Sequence, residues 1–316
     1  MSASASSARR PLLAGRIVDL HVAARFPSAT YLADPRTGRV LLVVVTADGI
    51  AHPNAVVLAS RVGDRPFARV RDHDVVQVGE NRLLGPWSPI VVARWWSPRP
   101  VLPSVSPGGL QTSLDAADAE IDRQADALPP DLADRFHDLT TAVSAGDVNG
   151  AVAAVDRLVG FGTGLTPSGD DLLAGFVAAV CLLTPVLDAD RRAAVLPPAV
   201  SAVAIRMVDR GDTMTTAISA ALLRHAAVGE VCAPAGALLR ALTGRPALTG
   251  TDGAVARLLR VGATSGRDLA VGLLAGARLA TTLQATTLRR GALQVDTPPP
   301  QPSSTAPTHT LVSRRT

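Results

Sequence analysis

Hydrophobic positions along the chain change their rhythm near Trp96. Before it, β-branched runs recur at strand length: GRIVDLHV, TYLA, GRVLLVVV, NAVVLAS, DVVQVG and PIVVARWW, broken by turn signals at Asp34 to Gly38 and Asn81 to Pro89. We read residues 11–97 as an antiparallel β domain with little helix. Residues 98–110 are rich in Pro, Gly and Ser and predict a linker. Beyond it the apolar residues fall at helical spacing in Leu114 to Leu128, Asp131 to Ala145 and Val148 to Val159. The pattern returns after Ser168, from Asp190 to Arg210, from Thr213 to Ala227, near Ala235 to Leu242, around Asp252 to Val261 and after Ser265. The predicted class is α+β: an N-terminal antiparallel β domain followed by a mainly α-helical domain over residues 111–292. Residues 1–10, rich in Ser and Ala, and residues 293–316, rich in Pro, Ser and Thr, are expected to be disordered tails.

The stretch GFGTGLTPSGDDLLAGF, residues 160–176, interrupts the helical pattern with the densest chemistry in the chain. Gly160, Gly162 and Gly164 permit positive φ and close approach of a ligand, and Pro167 stiffens the turn. Ser168 reads as an N-cap and Asp171 as its capping-box partner, which accounts for two residues by structure alone. Capping leaves unexplained the alternate glycines, Thr166 and the second acid, Asp170. A loop ending on a helix N-terminus offers N–H donors and a partial positive charge, a cradle for a small anion. Gly162, Gly164, Thr166, Ser168 and Gly169 are candidate binding residues, with Asp170 and Asp171 the candidate catalytic pair.

Ser168-Gly169-Asp170-Asp171-Leu172 is echoed by Ser265-Gly266-Arg267-Asp268-Leu269, with Gly175 and Gly272 in register. If both helix starts face one site, Arg267 orients an oxyanion, Asp268 repeats the cap, and Ser265 and Gly266 add donors. Otherwise these are two independently capped helices. A third stretch, GDTMTT from Gly211 to Thr216, is read as preceding a helix, with Thr213 and Thr216 on the rim of the same site. His52 is a polar candidate in the β domain; His225 reads as a hydrogen-bonded structural histidine.

Composition narrows the picture. Apolar residues make up 47% but aromatics only 3%, so cores must be built from Ala, Val and Leu, which suits close helix packing. Every basic residue is Arg, the net charge is only +4, and the arginines are scattered without interleaved aromatics, which argues against nucleic-acid binding. Cys181 and Cys232 are too few for a disulfide framework. The N-terminus lacks the apolar core of a secretory signal, which leads us to expect a cytoplasmic protein. Leu172 to Leu187 is apolar but shorter than a bilayer span, so it reads as a core helix and no membrane association is expected. No HExxH, Walker or Ser-His-Asp pattern is present.

The string GTGLTPSGDDLLAGF resembles the signature of a bacterial family associated with the AllH subunit of oxamate carbamoyltransferase. Two later stretches resemble the same family, GDTMTTAISAALLRHAAVGE from Gly211 and VGATSGRDLAVGLLAG from Val261, with a looser likeness at HPNAVVL from His52. The resemblance implies a carbamoyltransferase subunit of purine or allantoin catabolism that uses oxamate or carbamoyl phosphate and needs partner subunits. The alternative is a non-catalytic metabolite-binding or assembly subunit. No dedicated metal site is read from the sequence, although Asp171 or Asp170 is placed to coordinate Mg²⁺.

Overall fold

The computed structural model describes residues 1–187, 196–244 and 250–295. Eight strands are present: β1 (Ser2–Ser6), β2 (Val18–Phe26), β3 (Ala29–Ala33), β4 (Val40–Val45), β5 (Ala55–Leu58), β6 (Val75–Gly79), β7 (Arg82–Leu84) and β8 (Ile90–Trp96). They close into a barrel in the order β1-β5-β4-β3-β2-β6-β7-β8. This corrects the expected antiparallel domain, because the barrel is mixed: β1 pairs parallel with β8, and β4 pairs parallel with β5. The segment 46–54 carries the chain over from β4, so that β5 enters in the same direction instead of folding back as a hairpin.

β1 comes from the segment expected to be a tail. It lies between β5 and β8, antiparallel to the first, and supplies the last closure of the barrel. Ala3 and Ala5 point into the barrel core, whereas Ser2 and Ser4 are more exposed. The period-2 alternation that defines a strand is therefore present, but its inward residues are too small to stand out as hydrophobic. Closure removes the unpaired edges that an open sheet of this length would leave. The interior is filled by β-branched and Leu side chains such as Leu32, Leu42, Val56, Val76 and Ile90, and Leu13 of the short helix α1 (Arg10–Leu13) joins them.

The helices are α2 (Pro107–Gln124), α3 (Pro130–Ala145), α4 (Val148–Leu158), α5 (Ser168–Leu187), α6 (Pro198–Met214), α7 (Ala217–Ala226), α8 (Ala233–Leu242), α9 (Gly250–Leu259) and α10 (Ser265–Val295). α2 begins inside the predicted linker, where the Ser106 hydroxyl accepts from Gly109 N at 3.1 Å. α10 reaches Val295, inside the predicted C-terminal tail, and residues 296–316 lie outside the described residues, as does the start of the helix expected from Asp190.

α5 and α10 form the spine. A Cβ on Gly272 would lie 2.2 Å from the Leu172 carbonyl oxygen, one on Gly175 would lie 2.4 Å from that of Leu269, and one on Gly276 would lie 2.3 Å from that of Phe176. These glycines let two helices touch backbone to backbone, nearer than side-chain ridges allow. α5 is long and apolar enough to cross a membrane by length and composition, but most of it is buried among the other helices. Burial of each large side chain there, such as Phe176 or Leu173, stabilises the fold by about 1.5–3 kcal/mol. The barrel meets the helices where Ala33 and Val40 pack against Ile218 and Ala221 of α7.

Candidate functional site

The sequence echo is a structural repeat. Phe161 N donates to the Leu158 carbonyl at the end of α4, and Val261 N donates to the Leu258 carbonyl at the end of α9, each at 2.9 Å. Gly169 N then donates to Phe161 O at 2.9 Å, and Gly266 N donates to Val261 O at 2.8 Å. Gly169 and Gly266 are required in the same way, since a Cβ on either would lie 2.1 Å from the Leu158 or Leu258 carbonyl oxygen. The first copy carries the longer loop. Its glycines Gly160, Gly162 and Gly164 have φ of 75°, 116° and 95°, values that a side chain would strain.

The two loops meet, because the Thr166 and Ser265 hydroxyls are 2.8 Å apart. They open on a cavity of about 380 Å³ between the barrel and the helices. The barrel contributes Tyr31, Ile50, His52 and Pro53; the loops contribute Thr163 to Thr166 and Gly262 to Ser265; Asp171 and Cys232 complete its polar wall. Three of the described lining residues not anticipated as site residues are Tyr31, Glu230 and Cys232. They come from distant segments that only the tertiary fold brings together.

Asp171 is the chemical centre of this wall. It is 8% exposed, and its Oδ2 has no hydrogen-bond partner in the protein. Burial pushes its carboxyl well above the ordinary carboxylate range; the Ser265 and Thr166 hydroxyls pull the other way, while the Asp268 and Asp170 charges push further up. Burial thus disfavours the charged carboxylate relative to an exposed one. Burial likewise pushes the His52 imidazole down to about 4 and the Cys232 thiol up to about 11, so both are neutral near pH 7. Among the described residues lining the cavity, the ionisable carboxyls are Asp171 and Glu230, and no guanidinium is among them.

Several expectations change. Ser168 is the first residue of α5, and its hydroxyl makes no cap: the Pro167 carbonyl accepts from Asp170 N at 2.9 Å and Asp171 N at 3.2 Å. No Ser168–Asp171 capping box forms, because the close approach of α10 brings Ser265 to the Asp171 carboxyl instead. With Gly169, Asp170, Asp171, Gly266 and Asp268 all donating to carbonyls of their own loops, the helix first turns have few N–H groups to spare.

Asp170 does not line the cavity. It is 2% exposed, accepts from Gly160 N at 2.8 Å and Ser219 Oγ at 2.6 Å, and also accepts from Thr215 Oγ1. Burial raises its pKa and these three donors offset part of the rise. It pins the loop to the start of α7, and both its oxygens accept hydrogen bonds there. Arg267 also turns away from the cavity: its Nε and Nη2 bond the Asp268 Oδ1 at 2.8 and 2.7 Å, and Nη1 donates to the Ala127 carbonyl at 3.3 Å. Asp268 is fully buried by that pairing. Thr213 lies within α6 and donates to the Arg210 carbonyl at 3.3 Å, so GDTMTT ends one helix before starting another. Thr216 caps α7 through Ser219 N, and its hydroxyl donates to the Leu165 carbonyl at 2.5 Å, tying the glycine loop down. Gly162 shapes the loop without lining the cavity; Gly164 lines it with open space around its α-carbon. Among the described residues there is no cluster of three or more His, Cys, Asp or Glu side chains that would hold a metal ion.

The described fold is a β-barrel joined to a glycine-spined helical domain, with a cavity at the joint whose polar wall includes the Thr166 and Ser265 hydroxyls. Residues 158–277, from the end of α4 into α10, match the family described as oxamate carbamoyltransferase subunit AllH. The match covers both copies of the repeat and most of the cavity wall, and the family's name implies partner subunits of a carbamoyltransferase complex. No curated protein and no solved structure matches the chain.

Proposed function

We propose that the chain is a cytoplasmic carbamoyltransferase subunit of purine or allantoin catabolism that holds a small amide of the oxamate type in the cavity at Asp171. The observation that carries this reading is a buried carboxyl with an unpartnered Oδ2, its pKa pushed up by burial, in the wall of a cavity of about 380 Å³. A protonated acid there suits an amide nitrogen or carbonyl better than a phosphate dianion. The singly charged carboxylate of such an amide is met by the N–H groups of residues 163–166 and 262–265 and by the Thr166 and Ser265 hydroxyls, with both helix dipoles behind them. Anion binding thus falls to the loops ahead of the helices rather than to their first turns.

The chemistry follows from the acid. When phosphate attacks the carbamoyl carbon of an N-carbamoylated amide, the new O–C bond forms as the C–N bond breaks. Asp171 then gives its proton to the departing amide nitrogen, and in the reverse direction takes it back. Loop N–H groups stabilise the oxyanion that develops on the carbamoyl oxygen. The second reading, a metabolite-binding or assembly subunit without chemistry, places the same ligand in the same cavity. The test is turnover of oxamate and carbamoyl phosphate by the purified chain, alone and with the partner subunits. Our reading expects turnover in the complex that falls by about 10²-fold or more in Asp171→Asn; an undiminished rate in that variant would leave only the binding role.

A further inference from the structure

A second cleft, of about 310 Å³, lies on the opposite side of α7. Ile218, Leu222 and Ala226 of α7 face the cavity described above, whereas Ala221, Arg224 and His225 face this cleft. Its wall holds three guanidiniums from parts of the chain remote in sequence: Arg9 before α1, Arg39 at the entry to β4, and Arg224 on α7. Arg39 and Arg224 share a single carboxylate, each bonding a different oxygen of Asp212. Arg9 Nη2 donates to His225 Nε2 at 2.7 Å, and His225 Nδ1 donates to Glu230 Oε2 at 2.5 Å. An arginine is always a donor, so His225 must accept at Nε2 and carry its proton on Nδ1.

Three positive charges therefore face two carboxylates, Asp212 and Glu230, with the histidine neutral. Arg9 Nε is buried and has no hydrogen-bond partner. Burial lowers the Arg9 pKa despite the pull of Glu230, and the Arg224 charge lowers it further; Arg224 is itself lowered by burial and by Arg39. Like charges held this close, with donors left over, are what a multi-oxygen anion satisfies, and guanidiniums match its geometry in pairs.

We propose that this cleft is a second, independent site for a tetrahedral oxyanion of the phosphate class, held by Arg9, Arg39 and Arg224. It is separate from the Asp171 cavity and does not depend on the reading of that cavity. Glu230 lines both spaces, so an anion that draws Arg9 away from His225 also acts on a wall of the first cavity.

The experiment is titration of the full chain with inorganic phosphate at constant ionic strength set with chloride, read by ³¹P line broadening and by thermal shift. The parent should show saturable broadening. Arg39→Ala, at a half-exposed position, should weaken binding about tenfold, and Arg224→Gln should do the same. Gly108→Ala, on α2 and lining neither space, should bind phosphate as the parent does. Equal binding by the parent and Arg39→Ala would overturn the proposal and assign the phosphate to another part of the chain. Should Arg224→Gln fail to fold, Arg39→Ala decides alone.

Discussion

A single methyl group on Gly272 tests whether the α5–α10 contact is what assembles the site. An ideal Cβ there would stand 2.2 Å from the Leu172 carbonyl oxygen and 3.0 Å from its carbon, both backbone atoms that no rotamer change can move. Ordinary contact is about 3.4 Å or more, so the helices must separate by roughly 1 Å over at least a turn. Overpacking of this kind costs typically 1–3 kcal/mol, and alanine's better helix propensity returns at most about 1 kcal/mol. The net loss is then about 1–2 kcal/mol. At roughly 2–4 °C per kcal/mol for a domain of this size, Gly272→Ala should lower Tm by about 2–8 °C. The matched control is Gly108→Ala in α2, where nothing lies within 4 Å of the new Cβ, and its Tm should stay level or rise. Differential scanning calorimetry of the two variants reads the difference. If Gly272→Ala melted with Gly108→Ala, the backbone contact between the helices would not be as close as described, and the convergence of the two loops would lose its cause.

Further expectations concern individual groups. Asp171→Asn should stabilise the protein: the native carboxyl holds its proton above the unfolded pKa, so parent stability falls as pH rises from about 4 towards the raised value. The gain in Tm should therefore be present at pH 8 and shrink at pH 4, and a variant less stable than the parent at pH 8 would refute the burial argument. Asp170→Ala leaves Gly160 N, Thr215 and Ser219 without their acceptor and should cost about 3–5 kcal/mol in denaturant melts; a cost under about 1 kcal/mol would contradict its role as a pin. Deleting residues 1–8 removes β1 from the barrel, so the product should lose more than about 10 °C in Tm or fail to fold, and a melting curve like the parent's would show that β1 does not close the sheet.

The parts of the molecule that the sequence disclosed are those where local pattern decides the outcome. The repeated Ser-Gly-x-Asp-Leu string folds twice into the same hydrogen-bonded turn, and small residues in register on α5 and α10 announce the close packing of those helices. Pattern failed where tertiary closure decides. SASAS alternates too weakly to read as a strand, and β7 is only three residues long. Neighbouring residues on a helix point about 100° apart, so Asp170 and Asp171 share a motif but not an environment. One accepts from three donors, and the other belongs to the cavity wall and keeps a buried oxygen without a partner. Arg267 is taken by the carboxylate beside it, which no spacing rule foretells. The arginine cleft joins residues 9, 39 and 224, and sequence separation of that order leaves no local trace.

The measurement that bears most directly on the central claim is a crystal structure of the chain with oxamate, paired with calorimetric binding by the parent and Asp171→Asn. The account predicts oxamate between Gly164 and Ser265, its amide within hydrogen-bond reach of Asp171 Oδ2, and binding weakened in the variant. Oxamate bound elsewhere, or bound equally well by Asp171→Asn, would contradict it.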